Sequence, residues 1–146
     1  MTNLSWATQT AIQTLLSNDC DIISLTAQED GSAGVWNYEA DPNAMFPYIT
    51  FQQATSQFFD TLGHMGKDML WDVNVWSNQP GESETTNIFD RITTILNQSP
   101  TNPTPLSYDG VNFAMVHEAT GPRPIPDPEK GIRRMTATYR IKAQIV

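Results

Sequence analysis

Hydrophobic residues recur along this chain in two periods, and the change of period marks where helices give way to strands. Over residues 4–16, Ala7, Ala11, Ile12, Leu15 and Leu16 fall at helical spacing, which predicts a helix capped by Ser5. Asn18 and Asp19 interrupt it, and Ile22, Ile23 and Leu25 suggest one further helical turn. Residues 27–46 hold Gly31, Gly34 and Asp41-Pro42 and show no period. That stretch exceeds ordinary loop length, so it reads as a functional arm or as a loop with a short strand near Val35-Trp36. Residues 48–52 read as a strand with Ile49 and Phe51 on one face, and residues 61–67, with Gly63 and Gly66, as a loop. Met69, Trp71, Val73 and Val75 then alternate with Leu70, Asp72 and Asn74, a half-buried strand whose natural partner is the preceding one, antiparallel.

Asn78-Gln79-Pro80-Gly81 is a turn signal, and a helix over residues 83–98 follows. It carries Ile88, Phe89, Ile92, Ile95 and Leu96 on one stripe, and Ser99-Pro100 ends it. Pro100, Pro103 and Pro105 give an extended linker, and Val111, Phe113 and Met115 give a strand. Prolines at 122, 124, 126 and 128 exclude helix and central strand over residues 120–131, which read as a long loop stiffened towards polyproline II. Last, Met135, Ala137, Tyr139, Ile141, Ala143 and Ile145 alternate with Arg134, Thr136, Thr138, Arg140, Lys142 and Gln144. This is a long strand with one buried and one polar, basic face. The expected fold is α+β. It is a single domain over residues 1–146, with about four antiparallel strands and two main helices packed on them. Residues 27–46 and 120–131 are its long loops or arms.

Composition narrows the function. The chain has 146 residues, enough for one core without disulfides or metal. Charged residues are 16% of it, against roughly 25% in ordinary domains, and Thr, Asn, Gln and Ser take their place. The net charge of -8 argues against a protein that grips nucleic-acid phosphates over its whole surface. That charge is uneven: residues 1–66 hold seven acids and no Lys or Arg, whereas residues 123–146 hold six bases and two acids. A basic end and an acidic body suit head-to-tail contacts between copies. No apolar run is long enough for a membrane helix, and no secretory signal shows at the start, so the expected setting is a reducing cytoplasm.

Candidate chemistry is sparse. Gly63-His64-Met65-Gly66-Lys67-Asp68 lacks the spacing and the Ser or Thr of a phosphate loop and reads as a hairpin. His64 and His117 have no metal-ligand spacing, no calcium-loop pattern occurs, and no nucleophile-elbow motif accompanies the Ser and Thr residues. Cys20 lies between Asp19 and Asp21, which disfavour a thiolate. The expectation is no enzyme, cofactor or metal. The residues that stand out belong to contact surfaces: Trp76, on the strand face opposite Trp71, and the basic set Arg133, Arg134, Arg140 and Lys142, suited to salt bridges with an acidic neighbour.

These features form a pattern. An N-terminal helix leads to Pro47-Tyr48-Ile49, then Asp72-Val73-Asn74-Val75-Trp76-Ser77, then a helix with Ile88, Ile92 and Leu96. A proline-rich loop with Asp127, then Arg133, then the final strand with Tyr139 complete it. From residue 4 to 145 this resembles the tail terminator, or tail completion, proteins of long-tailed bacteriophages. The resemblance implies a structural virion protein: a hexameric ring at the head-proximal end of the tail tube. Such a ring stops tube polymerisation and joins the head or neck, and DNA passes through its lumen. Its partners are further copies, the tail tube protein and a head-completion or neck protein. It implies no catalytic residue, no cofactor and no membrane. The alternatives are another neck, connector or minor tail protein, a small acidic cytosolic enzyme or binding module, and a DNA-binding accessory protein, which the net charge disfavours.

Overall fold

In the computed structural model, which describes residues 3–61, 64–125 and 131–145, the two periods sort into two kinds of element. Among the described residues the order is α1 (Leu4–Asn18), α2 (Cys20–Leu25), β1 (Val35–Asn37), β2 (Tyr48–Thr61), β3 (His64–Ser77), α3 (Ser83–Leu96), β4 (Val111–Ile125) and β5 (Arg133–Ile145). The strands form one sheet in the order β1-β2-β3-β5-β4. β1 runs parallel to β2, and the other pairs are antiparallel. The fold is α+β as expected, but among the described residues the sheet has five strands and is mixed, and the helices number three. The additions are β1, of three residues, and α2, of six. Both fall where the sequence suggested a turn of helix and a short strand, and each is too short for a sustained periodic pattern.

The alternation fixes one face of the sheet as the core. Ile49 and Phe51 of β2, Met69, Trp71, Val73 and Val75 of β3, and Met135, Ala137, Tyr139, Ile141 and Ala143 of β5 are all buried. Ile12 and Leu16 of α1 and Ile88, Phe89, Ile92 and Leu96 of α3 pack against them. Each of the Val, Ile, Leu, Met and Phe side chains among them contributes about 1.5–3 kcal/mol by leaving water. Tyr139 is fully buried. Burial pushes its hydroxyl up to about 12, only partly relieved by the Thr93 hydroxyl 3.3 Å away.

The starts of α1 and α2 are fixed by side chains. Asn3, not Ser5, caps α1: its Oδ1 accepts from the Trp6 N–H at 3.2 Å. Both residue types favour that position, and spacing to the free amide decides between them. Ser5 lies in the first turn, where its hydroxyl accepts from Lys67 Nζ at 2.9 Å. Asp19 caps α2 through the Ile22 N–H at 3.0 Å, and the same carboxylate takes Arg91 of α3 in two hydrogen bonds, at 2.9 and 2.6 Å.

Arg91 thereby holds Asp19 below the usual carboxylate range, and Arg140 does the same for Asp68. A depressed carboxyl contributes stability above its unfolded value and loses it as the pH falls through the lower folded value. Unfolding free energy is therefore expected to decline as the pH drops below 3.8, the ordinary carboxylate value. Urea midpoints on either side of that pH measure the decline, and it should shrink in Arg91→Ala. Equal slopes in the two proteins would contradict the assignment.

Two expected loops are shorter than the sequence implied. β2 runs as far as Thr61 and β3 begins at His64, pairing Gln57 with Asp68 and Phe58 with Lys67. Phe58, Phe59 and Thr61, residues that favour strands, extend β2 before the glycines; residues 62 and 63 lie outside the described residues. β4 likewise runs on to Ile125, opposite Arg134, despite Pro122 and Pro124. It is the last strand of the sheet, where a missing N–H is tolerated, and its register slips three times. Asp127, with residues 126–130, lies outside the described residues. The arm over residues 27–46 is tied down by Gln28. Its Nε2 donates to the carbonyls of Thr26 and Met45, each at 3.0 Å, and its Oε1 accepts from the Met45 N–H at 2.7 Å.

Candidate assembly interface

All three helices belong to the core side, and the other face of the sheet carries none of the core residues. Alternation places polar residues there, and they pair across the strands. Trp76 Nε1 donates to Thr50 Oγ1 at 3.0 Å, Thr136 Oγ1 to Asn74 Oδ1 at 2.6 Å, and Thr138 Oγ1 to Asp72 Oδ1 at 2.7 Å. Arg140 grips both oxygens of Asp68, at 3.1 and 2.6 Å. Cross-strand pairs of this kind fix register and stiffen a face that no helix supports.

One end of this face is aromatic. Tyr48 and Trp76 are stacked with ring centroids 6.0 Å apart, Phe46 lies 5.2 Å from Tyr48, and Trp36 meets Tyr48 edge-on at 6.0 Å. The Arg134 guanidinium sits 5.0 Å over the Trp76 ring. Beside them the arm borders a cleft of about 620 Å³ whose lining includes Glu39, Asp41, Phe46, Tyr48, Trp76 and Ile132.

The residues singled out from sequence thus separate. Trp76 does face away from the buried Trp71, and Arg134 joins it. Arg133 is exposed and donates from Nε to the Gln79 carbonyl at 3.0 Å. Arg140 and Lys142 lie further along β5, where Lys142 is opposite Asp68 in register and its charge helps lower that carboxyl. Arg140 already has its acid within its own chain, which the charge distribution alone did not reveal. Sequence reasoning missed Phe46, Tyr48 and the acidic arm beside them. The signal available was a pair of aromatics flanking Pro47, one of them in the unpatterned arm.

The two edges of the sheet differ. On β4, the Val116 and Glu118 N–H groups donate to the side chains of Gln98 and Asn97, at 3.4 and 3.0 Å, and the Val116 carbonyl accepts from the Gln98 N–H at 2.9 Å. Pro122 and Pro124 follow on the same strand, so this edge is closed to further pairing. On the other side β1 pairs with β2 only as far as Phe51. Among the described residues no strand covers residues 52–61 on that side, and β2 has no charge before Asp60. It is a long, neutral, open edge of the kind that templates pairing with another chain.

Among the described residues no three His, Cys, Asp or Glu side chains converge as metal ligands, and no helix is long and apolar enough to cross a membrane. Cys20 is exposed.

Known proteins supply the context for these surfaces. A chain from the virion of a native gene transfer agent particle has the same fold, with a TM-score of 0.75 over 99% of each chain at 12% identity. No curated protein sequence matches significantly. The family model for tail completion protein gp17 matches residues 10–143. The chain therefore belongs to the tail completion protein gp17 family, a family of structural proteins of the bacteriophage tail and not of enzymes.

Proposed function

We propose that the protein forms a ring, hexameric as the family resemblance implies, on the head-proximal end of the tail tube, where it ends tube polymerisation and joins the tail to the head or neck. The observation that carries this reading is the asymmetry of the sheet. One face is packed by helices and one edge is closed, while among the described residues no helix covers the opposite face and no strand covers the far part of the opposite edge. A surface whose two sides differ in this way associates head to tail, and head-to-tail contacts close into rings when the rotation permits. The partners of the ring are further copies, the last ring of tail tube protein and a neck or head-completion protein. DNA passes through the lumen, and the net charge of -8 favours a wall that repels phosphates and lets the strand slide.

Deleting the gene tests this reading. Electron micrographs of the lysate should show tubes of uncontrolled length beside unjoined, filled heads. Tails of normal length that still attach to heads would exclude both termination and joining.

A further inference from the structure

The aromatic cleft has an acidic rim, and the chain carries a segment of the opposite character that is out of reach of it. Residues 122–125 end β4 as Pro122-Arg123-Pro124-Ile125. Pro122, Arg123 and Pro124 are exposed, and Arg123 takes part in no ion pair among the described residues. This segment is held against β5, with Pro124 opposite Met135 and Ile125 opposite Arg134. The cleft is formed by β2, β3 and the arm, with Ile132 at its margin. Strands β5 and β3 lie between β4 and β2, so the segment cannot enter the cleft of its own chain without leaving the sheet.

We infer that the cleft holds residues 122–125 of an adjacent copy, with the prolines on Phe46, Tyr48 and Trp76 and with Arg123 against Glu39 and Asp41. This rests on the ring reading in requiring neighbouring copies, and it names the surfaces that meet. Proline rings pack well on aromatic faces, and a segment already extended loses little freedom on docking. The charges agree: Glu39 and Asp41 are exposed, and neither takes part in an ion pair among the described residues. The contact is heterologous, cleft on one copy and arm on the next, as a closed ring requires. It also accounts for prolines at the end of β4, where they bar edge pairing and leave side chains free to dock.

Disulfide trapping tests it. In a Cys20→Ser background, Arg123→Cys is combined with Glu39→Cys or with Asp41→Cys, and the assembled protein is mildly oxidised, on tail tubes if it assembles only there. Denaturing gels without reductant should show covalent multimers up to the ring, and an equimolar mixture of single-cysteine chains should stop at dimers. As a second reading, Arg123→Glu should weaken assembly about tenfold or more, and Glu39→Lys with Asp41→Lys should restore it. Rings of full mass that give no covalent multimers and tolerate Arg123→Glu would overturn the cleft contact while leaving the ring. A wild-type chain that stays monomeric by light scattering, with and without tail tubes, would overturn both.

Discussion

Replacing Trp71 with alanine is expected to lower the free energy of unfolding by about 3–5 kcal/mol, the usual range for emptying a large aromatic site in a core. Trp71 is 2% exposed and sits on β3 in the middle of the sheet, opposite Tyr139 of β5, with the Phe51 ring 6.1 Å away. α1 and α3 lie over this region, so the void has walls on several sides and cannot close by a single shift. The indole adds a second, contrary effect. Its Nε1 is buried and has no hydrogen-bond partner among the described residues, and an unmet donor of this kind costs about 1–3 kcal/mol. Trp71→Phe removes that donor and keeps most of the ring, so it should cost far less than Trp71→Ala. Urea denaturation with the same m-value for all three proteins gives the comparison. Equal losses for Phe and Ala would mean that the indole N–H is satisfied and that the ring edge matters more than its volume.

Replacing Trp76 with alanine should have the opposite profile, with a small effect on the fold and a large one on assembly. Trp76 is only partly buried, on the face without helices, between Tyr48 and Arg134. Truncating a tryptophan at the centre of a contact commonly removes about 2 kcal/mol or more of association energy. That corresponds to roughly a thirtyfold weakening of each contact, at 1.4 kcal/mol for each factor of ten. Within the chain the losses are the stacking on Tyr48 and the hydrogen bond to Thr50, both on the sheet face away from the core. Trp76→Phe keeps an aromatic face and gives up that hydrogen bond, so it should assemble better than alanine. Light scattering for mass and a thermal melt for fold separate the two effects. A Trp76→Ala protein that assembles like wild type would remove this face from the interface.

Much of the fold was legible because its strongest signals are periodic. The alternation from Met135 to Ala143 fixed β5 and its buried face, and Ile88, Ile92 and Leu96 fixed α3. What was not legible depended on neighbours. Residues 64–67 and 120–125 look like loops by their glycines and prolines, yet they are strand because neighbouring strands pair with them. The cap at Asn3 and the staple at Gln28 follow from which amide or carbonyl is left free, a fact of three dimensions. The candidate surface was half visible. Trp76 and Arg134 were found by alternation and basic charge, and the structure brings them together. Pairing of Arg140 with Asp68 could not be read, because the two residues lie 72 positions apart in the chain. The cleft was missed for the same reason: Glu39, Asp41 and Phe46 come from the arm, and Tyr48 and Trp76 from two different strands.

The central claim is about place and arrangement, and an electron cryomicroscopy reconstruction of the head-proximal tail end tests it most directly. The account predicts a closed ring of this chain between the last tube ring and the neck, with the aromatic end of the uncovered sheet face buried between copies. Density for the chain elsewhere in the particle, or a ring in which that face is bare and the helices make the contacts, would contradict it.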